Sequence, residues 1–365
     1  MIRVVLILSL IALSACTPRA RLVPVSADLV SDDIRSVYIG TTRKWTPEAG
    51  FSGRRSQVSN YLRYDISVPK TRPAGEITWP TDGIDPNSQF LLAGATAFEG
   101  PDPFRRDLAA SLARRPQGAR EAVIYVHGFN NRFHEGVLRI TQLSEDFRFP
   151  GVSVHYSWPS AGNPLGYAYD RDSLLYARDG LERLVREVQA SGADRVILVA
   201  HSVGAMLVME TLRQMAIARP GSVARGLGGV ILISPDIDVE LFRAQASRIG
   251  RLPQPFGLFV SKRDRALSLS ARLTGQGNRL GNIRSLETLA DLDVTVIDVT
   301  EFSTGEGHFV AGDSPAVISI FSRAGALETA FRGDQAGRTG LVPGTVLTVQ
   351  NATEIILSPV TGLVQ

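Results

Sequence analysis

The sequence predicts an α/β chain: a mostly parallel sheet with helices on both faces and antiparallel strands added at the N-terminal edge. Three observations carry this. First, apolar-rich strand-like runs recur at 122–126, 152–159, 195–199, 230–233, 256–260 and 294–299, the first of them continuous. A run that is apolar at every position is buried on both sides, as parallel strands under helices are. Second, segments with apolar residues three and four apart lie between these runs, so strands and helices alternate along the chain. Third, the stretch Ala200-His201-Ser202-Val203-Gly204 joins one strand to one helix through small residues.

The elements follow in order. Residues 36–40 read as a short strand, 41–60 as a loop, and 62–68 as a second strand, because Leu62, Tyr64, Ile66 and Val68 alternate. These two strands are expected as the antiparallel edge. Phe104, Leu108 and Leu112 mark one face of a short helix capped near Asp102. After the strand at 122–126 comes His127-Gly128-Phe129-Asn130-Asn131, then a helical pattern through Val137, Ile140, Leu143 and Phe147. Leu174, Ala177, Leu181, Leu184 and Val188 predict one long helix before the strand at 195–199. Another helix follows over 206–215. Beyond residue 332 the chain is rich in Gly and Thr, with short strands readable at 345–349 and 354–357 and no indication of where they go. The domain therefore runs over 35–331, with 332–365 as a C-terminal tail.

Composition narrows the function. With 44% hydrophobic and 21% charged residues in 365, the chain can build a sizeable core. Only three of its 39 basic residues are lysines (Lys44, Lys70 and Lys262), and the arginines form no dense run interleaved with aromatics. A nucleic-acid partner is therefore not expected. The single cysteine is placed informatively. Arg3 precedes an apolar run at 4–12, too short to span a bilayer, and Leu13-Ser14-Ala15-Cys16 follows. That tetrapeptide resembles a bacterial lipobox. The expectation is a signal peptide over 1–15, lipidation of Cys16, a tether over 16–34, and a bacterial envelope protein held to a membrane by its lipid.

A serine is a weak nucleophile unless a base activates it and a sharp turn exposes its oxygen. The elbow pattern small-x-Ser-x-Gly after a strand and before a helix meets that need and predicts the α/β-hydrolase fold with Ser202 as nucleophile. In this fold the acid and then the histidine follow in the chain. Asp264 leaves the strand at 256–260, and His308 is the only histidine after the elbow. Asp236, in Ser234-Pro235-Asp236, is the alternative acid. The oxyanion of a tetrahedral intermediate needs backbone donors, expected from the amides of Phe129 and Val203. Asn130 and Trp158 are candidates for the pocket, Trp158 with packing as the equal alternative. His127 and His201 read as bracing groups, His155 as core, and His134 as exposed. No histidine pair has zinc-site spacing with a glutamate, so neither a metal nor another cofactor is expected.

The run 123–131, Ser157-Trp158-Pro159-Ser160 with Tyr167 and Asp170-Arg171, the elbow, and Ser234-Pro235-Asp236 together resemble a bacterial α/β-hydrolase family of unknown function (DUF900) over about residues 36–325. The resemblance implies the fold and a Ser–Asp–His site, and leaves the substrate open. The expected activity is cleavage of a carboxylic ester or related acyl bond in a small or acylated substrate. An acyltransferase or a peptidase would use the same triad, and a non-catalytic envelope lipoprotein would use the fold as a scaffold.

Overall fold

Eleven strands form one sheet in the computed structural model, which describes residues 22–80, 83–149, 151–275, 278–303, 307–322, 344–349 and 352–357. The strands are β1 (Ile34–Thr46), β2 (Gly50–Ser67), β3 (Leu91–Phe98), β4 (Glu121–Val126), β5 (Val152–Ser157), β6 (Arg195–His201), β7 (Gly229–Ile233), β8 (Phe256–Val260), β9 (Val294–Asp298), β10 (Gly344–Val349) and β11 (Ala352–Leu357). Their spatial order is β10-β11-β9-β8-β7-β6-β4-β5-β1-β2-β3. From β1 across to β11 every neighbouring pair is parallel. The antiparallel pairs lie at the two edges, β1–β2–β3 and β10–β11.

The helices are α1 (Pro101–Ala113), α2 (Phe133–Asp146), α3 (Tyr167–Tyr176), α4 (Arg178–Ala190), α5 (Val203–Ala218), α6 (Ser222–Gly226), α7 (Val239–Ile249), α8 (Arg265–Leu273), α9 (Val310–Asp313) and α10 (Pro315–Phe321). Successive side chains of a strand point to opposite faces, and the two cores show it. Ile124 and Val126 of β4 pack with Leu108 of α1, Leu184 of α4 and Leu207 of α5. Val123 and Tyr125 pack on the other side with Val137 and Ile140 of α2 and Val317 of α10.

Three expectations are corrected. The stretch read as a loop over 41–60 is the body of a long hairpin: β1 runs on to Thr46 and β2 starts at Gly50. Its buried residues include Thr41, Thr42 and Arg43, polar groups that hide a strand from a hydrophobicity reading. β1 itself is parallel to β5, so the antiparallel N-terminal edge is β2 and β3, and β3 had no counterpart in the sequence reading. The single long helix before β6 is two, α3 and α4, divided at Ala177, where ψ opens to −5°. The strand readings at 345–349 and 354–357 correspond to β10 and β11, and β11 lies beside β9 in the sheet. The signal peptide, Cys16 and the tether up to residue 21 lie outside the described residues, as does most of 332–365.

Candidate active site

Ser202 sits at the turn from β6 into α5 with φ +55°, a left-handed backbone that non-glycine residues rarely adopt. The turn is tight because its neighbours are small. A Cβ on Gly204 would run into the backbone carbonyls of His127 and Val126, so only glycine lets α5 start this close to β4. Gly128 meets the elbow from the other side: a Cβ there would lie 2.9 Å from Ser202 Cβ and 2.8 Å from His201 Nδ1. The loop after β4 is thereby laid directly against the serine. The backbone of the elbow is held by the next crossover, with the Ser202 amide donating to Ile233 O (3.0 Å) and the Asp236 amide to Ser202 O (3.1 Å).

The histidine arrives with a partner. Gly307 has φ +65° just before His308, and His308 Nδ1 lies 2.8 Å from Asp264 Oδ2. Asp264 is 1% exposed and caps α8, its Oδ1 accepting from the Leu267 amide at 2.9 Å. One oxygen is thus fixed by the helix and the other is left for the imidazole. The His308 ring packs on that of His201, centroids 4.7 Å apart, which places it beside the elbow. No hydrogen bond joins the Ser202 hydroxyl to His308 among the described residues. Such bonds are often long until substrate is bound. Asp236 is placed elsewhere: buried, it accepts from Ser270 Oγ (2.7 Å) and Tyr167 OH (3.1 Å) and faces Arg279 Nε at 3.2 Å.

Val203 opens α5, where a helix leaves its amides without internal partners. Among the described residues, neither the Val203 nor the Phe129 amide donates to another group of the chain. Both belong to residues flanking Ser202, Val203 directly after it and Phe129 directly after Gly128. The loop that carries Phe129 is held by a buried polar frame. The Asn130 amide (3.2 Å) and Ser160 Oγ (2.6 Å) donate to Asp170 Oδ2, the Ala161 amide donates to Oδ1 (2.7 Å), and the Asn131 amide donates to Ser160 Oγ (3.2 Å). Burial raises the Asp170 carboxyl above its ordinary value.

Sequence reading missed the other half of this frame. Arg43, 1% exposed, donates to Ser157 Oγ (2.9 Å), Ser160 O (3.0 Å), Ser52 O (3.3 Å) and Asn131 O (2.8 Å). Burial lowers the guanidinium to about 10, an effect that the charge of Asp170 opposes. The signal for it was an arginine directly after the strand-like run 36–40, obscured by the loop reading.

The remaining histidines are structural in their surroundings. His127 is buried, stacked on Trp158 (centroids 4.8 Å) and bonded through Nε2 to Trp158 O at 3.0 Å. Burial holds it well below the usual imidazole range, and Arg43 adds to that. His155 is buried in β5, with burial lowering it to about 3. His201 is pushed well down by burial and then by the neighbouring His308. His134 is half-buried rather than exposed, its Nδ1 accepting from the Leu22 amide at 3.2 Å. Trp158 is fully buried, and its Nε1 donates to His127 O at 2.7 Å, so it packs beneath the loop. The cavity beside the elbow, about 230 Å³, is bounded by Val203, Met206, Tyr167 and charged groups, with neither Asn130 nor Trp158 in its wall.

Residues 102–323, more than half of the chain, match the family described as "Alpha/beta hydrolase of unknown function (DUF900)". Over 130 residues, 34% of the chain, the sequence is 26% identical to the uncharacterized protein YnbC of Escherichia coli (strain K12); the chain spans 20% of that curated relative's length. Among solved structures it is similar to a fungal esterase from Rhizomucor miehei (11% identity, TM-score 0.41, 82% of this chain and 85% of that one). A further likeness is to the Pyrobaculum calidifontis esterase (14% identity, TM-score 0.35, 65% of this chain and 94% of that one). Likeness at this level speaks to no substrate.

Proposed function

The chain belongs to the alpha/beta hydrolases of the DUF900 family, and on that premise we propose that it is a serine hydrolase cleaving a carboxylic ester or a related acyl bond. The observation that carries the reading is the pairing of His308 Nδ1 with Asp264 Oδ2 at 2.8 Å, beside a serine held at φ +55°. In this reading the Ser202 hydroxyl attacks the acyl carbonyl, and its proton passes to His308 Nε2 as the oxygen–carbon bond forms. Asp264 fixes the ring with Nδ1 protonated and stabilises the imidazolium. The amides of Phe129 and Val203 receive the oxyanion. Collapse of the tetrahedral intermediate expels the alcohol, which takes the proton from His308. Water, deprotonated by the same imidazole, then releases the acyl group and restores Ser202.

A fluorophosphonate probe tests this directly. Wild-type protein should label covalently, and Ser202→Ala should not; labelling that survives in Ser202→Ala overturns the assignment.

We also place the chain in the bacterial cell envelope, lipid-anchored through Cys16. The support is the sequence of residues 1–16 alone: a basic start, a short apolar run and Leu13-Ser14-Ala15-Cys16. Metabolic labelling with an alkyne fatty acid should mark the protein and fail in Cys16→Ser; equal labelling of both rules the anchor out.

A further inference from the structure

The wall of the cavity beside the elbow includes the apolar Val203, Met206 and Leu241 together with Tyr167, Asp236, Asp238, Arg171 and Arg279. At about 230 Å³ it has room for roughly seven or eight waters, the size of a short functionalised chain rather than a fatty acyl tail. It is tied to both expected oxyanion donors, since Val203 lines it and Tyr167, in its wall, packs edge-to-face on Phe129 with centroids 5.4 Å apart.

Two cations and two anions face this space, and their partners differ. Asp236 is matched by Arg279 at 3.2 Å and by the hydroxyls of Ser270 and Tyr167. Asp238 caps α7, its Oδ1 accepting from the Leu241 amide at 3.0 Å. Arg279, 3% exposed, is held by Asp236, Thr274 and the Ser270 carbonyl. Arg171 is half-buried and has neither a hydrogen bond nor an ion pair among the described residues. The four formal charges sum to zero, and of the four groups only Arg171 has no partner among the described residues, a guanidinium whose planar fork matches a carboxylate.

We propose that this cavity is an anion-recognising subsite and that the substrate carries a carboxylate on a short chain beside the scissile acyl group, bound by Arg171. The inference rests on the hydrolase reading above for the word substrate, and on the unpartnered Arg171 for the word anion.

Three 4-nitrophenyl esters of similar length separate the alternatives on the acyl side: the hemiglutarate (anionic), the pentanoate (neutral) and 4-trimethylammoniobutyrate (cationic). Carboxyphenyl acetate against phenyl acetate repeats the comparison on the alcohol side. The quantity read is the ratio of kcat/KM for anionic over neutral ester, which cancels any loss of folded protein. In one of the two series the wild-type ratio should exceed unity. Arg171→Gln should lower that ratio roughly tenfold to a hundredfold, the range of a charge-assisted hydrogen bond, with Arg171→Lys between. A wild-type preference for the cationic ester, or ratios unmoved in Arg171→Gln in both series, overturns the proposal. Isothermal titration of monomethyl glutarate into Ser202→Ala and into Ser202→Ala/Arg171→Gln keeps the two readings apart. Binding to the first and not the second upholds the anion subsite even where fluorophosphonate labelling fails. Equal binding, or none to either, rejects it even where labelling succeeds.

Discussion

Replacing Arg43 by Met tests whether the loop of His127–Asn131 is held by a buried charge. The methionine keeps most of the apolar stem volume and removes every donor. The carbonyls of Ser52, Ser160 and Asn131 each lose a charged partner, as does Ser157 Oγ. A buried acceptor left unpaired costs about 1–3 kcal/mol, and Asp170 keeps its carboxylate with the compensating charge gone. Breaking a buried charge arrangement by removing one member costs about 3–5 kcal/mol, near the lower end of what four such unpaired acceptors would sum to, and that range is the expected loss. This is a large part of the roughly 5–15 kcal/mol that holds a typical domain together. Urea unfolding at pH 7.5 should show the midpoint falling by about 1–2 M with little change in slope. The rate of fluorophosphonate labelling, measured well below the unfolding transition, should fall further than the folded fraction does, because Asn131 is two residues from the Phe129 amide. Arg43→Lys should recover part of the stability, since an ammonium reaches one or two of the acceptors and not four. A midpoint within about 0.3 M of wild type, with unchanged labelling, would refute the role given to these bonds.

Other perturbations separate neighbouring roles. Asp264→Asn should lower kcat by about 10⁴ while leaving the fold intact, as loss of the orienting acid does in triad enzymes; a loss under tenfold assigns the acid elsewhere. Stability should fall with acid. His155 is lowered to about 3, and His127 and His201 well below 6.5, so the unfolded chain binds protons that the folded chain refuses. Their contribution is complete above about pH 6.5 and is lost as pH falls below it. For His155 the loss is about 1.4 kcal/mol per unit, or about 2 kcal/mol at pH 5; His127 and His201 act in the same direction, and Asp170, raised by burial, in the opposite one. Urea midpoints that stay level between pH 7.5 and 5 would contradict the burial of these neutral rings.

The central parallel strands β4, β6, β7 and β8 were legible because they are mostly buried and read as nearly unbroken apolar runs. The elbow was legible because its geometry demands small residues at fixed spacing, and Gly204 and Gly128 stand where a Cβ would collide. What escaped reading is polar and buried. Thr41 and Arg43 occupy inward positions of β1, bonded to groups of β5 and of the loop beyond it, more than a hundred residues away. Nothing local signals that such a residue has partners. The place of β11 beside β9 is equally non-local, since 53 residues separate the ends of the segment, from Asp298 to Ala352, and no periodicity encodes register across such a gap. Trp158 shows the same limit in reverse: its type suits a pocket wall, and only the stacking on His127 shows that it is packed.

Asp236 and Asp264 follow β7 and β8, neighbouring parallel strands, and both are almost completely buried, so position alone does not separate them. Their partners do. Asp264 spends one oxygen on the first turn of α8, which fixes the direction in which the other must point, and His308 lies on that line. Asp236 is surrounded by Arg279, Ser270 and Tyr167, leaving no oxygen for an imidazole, while its amide anchors the Ser202 carbonyl. One carboxylate is therefore coupled to the ring and the other to the backbone of the elbow and the charge of the cavity beside it. Two acids that look interchangeable in the sequence thus act on different variables: Asp264 on how the imidazole is oriented, Asp236 on where the serine stands and on which charge its neighbouring cavity presents.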